Sequence, residues 1–414
     1  MRIVVVETDG FGGLAHFSYQ MANALVHAGA DVTLLTAREY ELAHLPHACT
    51  LDASLSLWRN VSLDSDRTKT PTWLRPTQRR LRRGVRAVRL LAVWRRLTRR
   101  LVRERPDVVQ FSEIRFPILA PFVARLRRAG ITVTQICHEF VPRESGTASR
   151  WLVRHSAASL YSSFSLMFFL GEGIREEFLR SFAVPRARTA VIPMGDASLF
   201  TRVDRGQATL RERYDLSPAA PVALFFGGLR PSKGLEDLIA AFRGVVARIP
   251  AARLLVVGMP QASIDPKKFV ALAAEAGISA SVTIDARYVP ASDVGALVRT
   301  ANVVVLPYRS GTSSAALQVA YAFARPAVVT NVGSLAEAVV PAVTGLVVPA
   351  GDQAALTDAL TDLLADPTRA EELGAAGSRR SADQHGWPAI AGQILHLTAG
   401  ALLADRAARS ASRP

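Results

Sequence analysis

Cysteine is nearly absent from this chain, with Cys49 and Cys137 the only two among 414 residues. Two isolated thiols give neither a disulfide framework nor a cysteine-rich zinc site, and they fit a reducing compartment. Long apolar runs are also missing: no window reads as the ~20 uncharged apolar residues that a membrane-spanning helix needs. The N-terminal MRIVVVETDG lacks an apolar signal region with a small-residue cleavage site and reads as a first core strand. The chain is therefore expected in the cytoplasm. Lysine is scarce as well. It occurs only at Lys69, Lys233, Lys267 and Lys268, so arginine supplies 46 of the 50 basic residues.

What is present describes a folded protein of more than one core. Hydrophobic residues make up 49% and charged residues 21%, which excludes a disordered chain. The length is large for a single core, so two domains are expected. The net charge is +15, and thirteen arginines fall between Arg75 and Arg105 against one acid, Glu104. Read as a helix, this segment carries two apolar stripes. Leu81, Val85, Val88 and Ala92 share one face, while Leu90, Trp94, Leu97 and Leu101 share nearly the opposite one. That pattern fits one helix that switches partner, or two helices. Two uses remain open: a packed helix with a solvated basic rim, or a basic helix lying on an anionic membrane surface through 75–105. Nucleic acid is not expected as a partner, because the run lacks interleaved stacking aromatics.

Short apolar runs alternate with amphipathic segments along the whole chain. In the first half, strands are expected at 3–7, 31–36, 107–111, 132–137, 165–170 and 190–193. In the second they are expected at 222–226, 253–258, 282–286, 302–307, 327–330 and 345–350. Repeated strand–helix–strand with apolar strands argues for parallel sheets covered on both faces. The expected organisation is an N-terminal Rossmann-like domain over 1–195, a polar linker over 196–218 and a second Rossmann-like domain over 219–385. A C-terminal helix over 386–404 is expected to pack back on the first domain, followed by a disordered tail over 405–414. The fold class is α/β, two doubly wound domains with the C-terminal strand ends lining a cleft.

Chemistry concentrates in the turns that follow strands. ALFFGGLRPSKG (223–234) runs from an apolar strand through Gly227 and Gly228 to Arg230 and Lys233, then into a helix. Arginine offers a planar fork and lysine a point charge, so this turn suits a phosphate. A chain that uses arginine almost everywhere has kept a lysine here. In PYRSGTSSAALQVAYAF, Ser313, Ser314 and Ala315 open a helix and would aim N–H groups at negative charge, although an ordinary serine cap reads the same way. ETDGFGG places Gly10, Gly12 and Gly13 between a strand and a helix, without the spacing of a dinucleotide fingerprint. His138 and Glu139 follow another strand; the histidine suits a hydrogen bond to a hydroxyl or phosphate, or a backbone contact in a loop.

Taken in order, GFGGLAHFSYQMANALVHAGADVTLLT, CHE, VIPMGDASLF, FFGGLRPSKGLEDLIAAF, ANVVVLPYRSGTSS and RPAVVTNVGSLAEAVVPAVTGLVVPAGD carry a resemblance. Over nearly its whole length the chain resembles the retaining glycosyltransferases of the family 4 type, which have the GT-B fold. The resemblance implies that Gly12 and Gly13 lie beside donor phosphates and that His138 touches the donor sugar. It implies that Arg230 and Lys233 neutralise a diphosphate leaving group, although the family's commonest arginine position is occupied here by Gly228. The family's two glutamates spaced E-x7-E would fall at Gly311 and Val319, and neither is acidic. The chain resembles instead a subgroup with a Ser-Gly pair in this loop, matched by Ser314 and Ala315. Gln318 neighbours the missing ribose carboxylate but is turned by ~100° on a helix. Glu337 in GSLAE matches a donor-binding glutamate.

The implied activity is transfer of a sugar from a nucleoside diphosphate sugar to a glycan, lipid-linked or small-molecule hydroxyl, in cell-envelope or exported glycan synthesis. No cofactor or metal is implied, and Asp64-Ser65-Asp66 merely imitates a metal-binding DxD. A site in the cytoplasm, peripheral on the inner face of the membrane, goes with that role. The alternatives are a catalytically silent relative acting as a binding subunit, suggested by the lost glutamates, and a nucleotide-sugar epimerase on the same fold.

Overall fold

Strands that are apolar at successive positions need cover on both faces, which parallel crossover connections supply. The computed structural model describes residues 1–56, 75–140, 150–206, 209–261, 263–311 and 314–411, and it contains two parallel sheets. Asp64, Ser65, Asp66 and Ser313 lie outside the described residues. Contacts divide the chain into two units: Met1–Phe169, Arg175–Ile192 and Trp387–Pro414 form the first, and Leu170–Ile174 and Pro193–Gly386 the second.

The first unit contains β1 (Arg2–Val6), α1 (Gly12–His27), β2 (Asp31–Ala37), β3 (Thr50–Leu55), α2 (Arg75–Glu104) and β4 (Val108–Phe111). It continues with α3 (Ala120–Arg128), β5 (Thr132–Cys137), α4 (Arg150–Ser162), β6 (Leu166–Phe169), α5 (Glu172–Ser181) and β7 (Thr189–Val191). Its sheet has the order β3-β2-β1-β4-β5-β6-β7, all parallel. Every residue of β4, β5 and β6 is buried. Edge strand β3 was not expected: TLDASL is short, half-polar and mostly part-exposed, so it lacks a buried-strand pattern.

The second unit contains α6 (Ser198–Arg202), β8 (Val222–Phe226), α7 (Leu235–Arg248), β9 (Arg253–Val257), α8 (Lys267–Glu275), β10 (Val282–Asp285) and α9 (Ala291–Thr300). Then follow β11 (Val303–Leu306), α10 (Ala315–Ala322), β12 (Ala327–Thr330), β13 (Gly345–Val348), α11 (Gln353–Ala365) and α12 (Pro367–Gln384). The sheet order is β10-β9-β8-β11-β12-β13. Both sheets thus start in the middle, grow to one side, and return to grow to the other. This is the doubly wound Rossmann arrangement expected from the strand–helix alternation.

Three expectations need correction. The described residues of the stretch 196–218 belong to the second unit instead of forming a separate linker. Asp204 forms a two-pronged ion pair with Arg299 at 2.6 and 3.0 Å, the Leu210 N–H donates to the buried Thr300 hydroxyl, and Tyr214 donates to Asp285. The described part of the tail, 405–411, is helical rather than disordered, because α13 (Trp387–Ala411) continues past residue 405. Finally, Pro367–Ala411 does contain a helical window long and apolar enough to cross a membrane by length and composition. In the structure, Trp387, Ile390, Ile394 and Leu402 of α13 are buried within the first unit, with Trp387 edge-on to Phe17 at 5.1 Å.

Helix α2 is one continuous helix with one of its two apolar stripes packed. Leu90, Trp94, Leu97 and Leu101 are buried, and Trp94 stacks on Phe111 with ring centroids 5.4 Å apart. Val88 and Ala92 from the other stripe are exposed among Arg89, Arg95, Arg96, Arg99 and Arg103. Cys49 and Cys137 are both buried free thiols.

Asp405 holds the end of α13. Its carboxylate accepts from the hydroxyls of Thr132 (2.9 Å) and Ser165 (2.6 Å) and from the Arg127 guanidinium (3.0 Å). Replacing Asp405 with alanine strands three donors and is expected to cost about 2 kcal/mol. Hydrogen exchange should then show the last two turns of α13 losing protection about thirtyfold, while the second unit keeps its own.

Candidate functional site

A doubly wound sheet presents its functional groups where the strand order reverses, because the loops leaving the two central strands part there. In the second unit that point lies between β8 and β11. The loop after β8 is drawn over its neighbour: the Leu229 N–H donates to the Met259 carbonyl at 2.9 Å, and Gln261 N–H donates to Leu229 at 3.0 Å. Arg230 is extended, Pro231–Lys233 forms one 3-10 turn, and Gly234 opens α7 with φ +64°. Only glycine fits there. A β-carbon on Gly234 would stand 1.9 Å from the Pro307 carbonyl oxygen, in a left-handed backbone that side chains rarely adopt.

The loop after β11 is bonded to that turn. The Ser232 carbonyl accepts from the Arg309 N–H at 2.9 Å and from the Ser310 N–H at 3.3 Å. Asp237, in the first turn of α7, takes both prongs of the Arg309 guanidinium at 2.6 and 2.7 Å. Tyr308 is 3% exposed, and its carbonyl accepts from the Thr330 hydroxyl at 2.6 Å. Its ring lies under Lys233, whose Nζ is 3.5 Å from the ring centroid. Its hydroxyl is hydrogen-bonded to that of Ser314 at 2.9 Å. Among the described residues, Lys233 has no carboxylate partner.

Gly228, Arg230, Lys233, Ser314 and Ala315 are therefore brought to one end of this sheet, as the loop pattern suggested. Ser314 precedes α10 with an extended backbone, and its side chain does not cap the helix. Gln318 is not at the loop. It is 3% exposed and accepts from the Ser381 hydroxyl of α12 at 2.7 Å, since one step along α10 turns it into the helix–helix contact. Glu337 is exposed, and its carboxylate accepts the Gly173 N–H at 3.3 Å. Tyr308, Arg309 and Asp237 were missed by the sequence reading. Asp237 looked like an ordinary first-turn acid, and nothing in the spacing paired it with an arginine seventy-two residues away.

In the first unit the reversal lies between β1 and β4. Glu7 is 1% exposed and folds the glycine-rich turn around itself. Its carboxyl accepts from the Asp9 N–H (2.7 Å), the Gly10 N–H (2.8 Å) and the Thr36 hydroxyl (2.7 Å). Burial pushes that carboxyl above its usual range. The Gly12 N–H, expected beside a phosphate, points at the Glu41 carboxylate at 3.4 Å, and the same oxygen lies 3.0 Å from His16 Nε2. A β-carbon at Gly13 would meet nothing within 4 Å, so that first-turn position is open.

His138 follows β5 and retains some exposed surface. It packs edge-on to Phe17 at 4.9 Å. Its ring atoms are enclosed enough that burial lowers its pKa to about 3, helped by the nearby Arg115 charge. The imidazole is neutral at ordinary pH and so can both donate and accept. Next to it, Arg115 bonds Glu113 (2.7 Å) and Asp9 (2.9 Å), and Glu113 accepts the Glu139 N–H at 3.2 Å. Among the described residues no group of three or more His, Cys, Asp or Glu is arranged to hold a metal ion.

Comparison with known proteins agrees with the fold. A glycosyl transferase 4-like domain model matches residues 12–195, and a model of glycosyl transferases group 1 matches residues 207–380. The chain is 32% identical over 235 residues to a D-inositol 3-phosphate glycosyltransferase of Segniliparus rotundus, covering 55% of this chain and 51% of that protein. It is 28% identical over 290 residues to a GDP-mannose-dependent alpha-(1-6)-phosphatidylinositol monomannoside mannosyltransferase of Mycolicibacterium smegmatis. That match covers 68% of this chain and 73% of the relative. With the inositol phosphate enzyme the match thus spans about half of the relative's length. Among solved structures, sucrose-phosphate synthase from Thermosynechococcus elongatus superposes with a TM-score of 0.72 at 20% identity, covering 97% of this chain and 99% of that one. HepE of Anabaena in complex with UDP-glucose gives 0.71 at 16%, covering 97% and 100%. At these identities the solved structures show the shared fold.

The histidine makes a prediction about pH. The folded value lies below the ordinary 6.5, so the unfolded chain takes up a proton first. Through this group, stability is fully present above about pH 6.5 and is lost as pH falls towards 3. In a histidine NMR titration, assigned with His138→Gln, the His138 ring should stay neutral down to pH 4. An inflection near 6.5 would contradict its enclosure.

Proposed function

The chain belongs to the family 4 type glycosyltransferases of the GT-B fold, and on that premise we propose that it is a retaining glycosyltransferase using a nucleoside diphosphate sugar. The observation that carries this reading is Lys233, a cation held at the strand-order reversal of the second unit with no carboxylate partner among the described residues. A charge kept uncompensated beside a helix N-terminus favours an anion there.

The reaction follows from charge. The acceptor oxygen attacks the anomeric carbon as the bond from that carbon to the diphosphate oxygen breaks. Negative charge grows on the departing diphosphate, where Lys233, Arg230 and the N–H groups opening α10 at Ser314 and Ala315 stabilise it. With acceptor and leaving group on the same face of the sugar, the proton of the acceptor hydroxyl passes to a diphosphate oxygen, and retention results. Neutral His138 suits a hydrogen bond to a sugar hydroxyl. Gly13 and Glu337 remain candidates for donor contacts. Gly12 would first have to exchange its Glu41 partner for the donor, and Gln318 is withdrawn from that role.

The names of the relatives support an acceptor that is a cyclitol or a lipid-linked glycan, and we extend the proposal to a role in cell-envelope or exported glycan synthesis. The exposed arginines of α2, with Val88 and Ala92 among them, support a site on the inner face of an anionic membrane.

GDP-mannose and UDP-glucose head the donor panel, since one names a relative's donor and the other is bound in HepE. Purified protein should slowly release nucleoside diphosphate from one donor even without an acceptor. Lys233→Ala should lower that turnover at least about a hundredfold, the usual cost of removing one group that stabilises transition-state charge. Its thermal midpoint should stay unchanged. A protein that no nucleotide sugar stabilises in a thermal shift would instead be a silent binding relative, and the enzyme reading would fail.

A further inference from the structure

Of the cations at the end of the sheet between β8 and β11, Arg309 and Lys233 are treated by the fold in opposite ways. Arg309 is neutralised by the two-pronged pair with Asp237. Lys233 is held instead by the face of Tyr308, at 3.5 Å from Nζ to the ring centroid. A carboxylate would fix an ammonium by cancelling its charge. An aromatic face attracts the cation through the ring quadrupole and leaves the net charge in place. The Tyr308 hydroxyl then reaches the Ser314 hydroxyl at 2.9 Å, at the entrance to α10. One buried side chain thus touches both Lys233 and Ser314, and Thr330 fixes its backbone from behind.

We propose that Tyr308 is a positioning residue that places the uncompensated Lys233 ammonium and the Ser314 hydroxyl together on a diphosphate group. The inference rests on the donor reading above for the identity of that group. The arrangement of ring, ammonium and hydroxyl stands on its own geometry. Lysine carries a flexible four-carbon stem, so an unanchored Lys233 would spend much of its time away from the anion. The ring limits that search before the donor arrives. Arg309 and Asp237 contribute indirectly, because their pair and the Ser232 carbonyl hold the two loops at the spacing that puts ring under cation.

The test uses the full chain and has one arm that does not depend on turnover. There are four lysines, so reductive methylation with carbon-13 gives four side-chain signals and the N-terminal amine, with Lys233 assigned through Lys233→Arg. Ring current should move the Lys233 methyl signal upfield in the wild type and in Tyr308→Phe, but not in Tyr308→Leu. Inorganic pyrophosphate should shift it further in the first two proteins. In the kinetic arm, Tyr308→Leu should lower kcat for nucleoside diphosphate release at least tenfold with a smaller change in KM. Tyr308→Phe should recover most of that loss. The deficit left in Tyr308→Phe should match Ser314→Ala and should not grow in the double variant.

An unshifted wild-type Lys233 signal would overturn the proposal, as would Tyr308→Leu that is folded and fully active. A Tyr308→Phe protein as impaired as Tyr308→Leu would show that the ring is not what matters, and would overturn it too. If Tyr308→Leu fails to fold, the shift and the pyrophosphate response of Tyr308→Phe against wild type decide the matter. A shifted signal that answers to pyrophosphate, in a protein that accepts no nucleotide sugar, would sustain the positioning role and defeat the donor reading instead.

Discussion

Parallel strands cannot be joined by tight turns, so each connection must cross the face of the sheet and return the chain to the same starting edge. The loops that carry Lys233, Tyr308, Glu7 and Arg115 depend on that constraint. Both sheets begin in the middle and grow outward twice, so each leaves one pair of central strands whose loops diverge. In the second unit the pair is β8 and β11, and the turns of Lys233 and Tyr308 come from its two members. In the first unit it is β1 and β4, and the turns of Glu7 and Arg115 come from that pair.

At both places carboxylates shape loops and set which charges remain available. Glu7 is nearly inaccessible and folds the glycine-rich turn by accepting two N–H groups and a hydroxyl. Asp237 joins two loops through Arg309. Glu41 takes the N–H of Gly12 and approaches His16. Each of these acids is occupied by the protein itself. Lys233 is the contrasting case, since an aromatic ring supports it without neutralising it. At Val319, where the second acid of the E-x7-E pattern would fall, the space is packed. Val319 is a buried apolar side chain, and neighbouring Gln318 is bonded to Ser381.

The end of the chain is part of the first unit for electrostatic as well as apolar reasons. Trp387, Ile390 and Ile394 bury an apolar stripe, while Asp405 gathers Thr132, Ser165 and Arg127 at the edge where β5 and β6 begin. Composition alone made ADRAARSASRP look like a solvated tail. The acid that anchors it resembles any surface aspartate until its three partners, all more than two hundred residues away, are brought to it.

Periodicity and turn chemistry by themselves determined the two doubly wound sheets, nearly all of their strands and the loops that carry Arg230, Lys233, Ser314 and His138. Those are local properties: apolar runs, glycine after a strand, and helix-opening residues. Edge strand β3 escaped because TLDASL buries too little to leave a pattern. The segment 196–218 read as a linker because its polar residues gave no sign of Arg299, Thr300 or Asp285 as partners. Tertiary structure alone decided which polar groups are already satisfied. It put Glu41 on Gly12, turned Gln318 away from the loop, enclosed His138, and set Tyr308 rather than an acid beneath Lys233. Such pairings join residues far apart in the chain, and only folding places them within the few ångströms over which hydrogen bonds and cation–π contacts act.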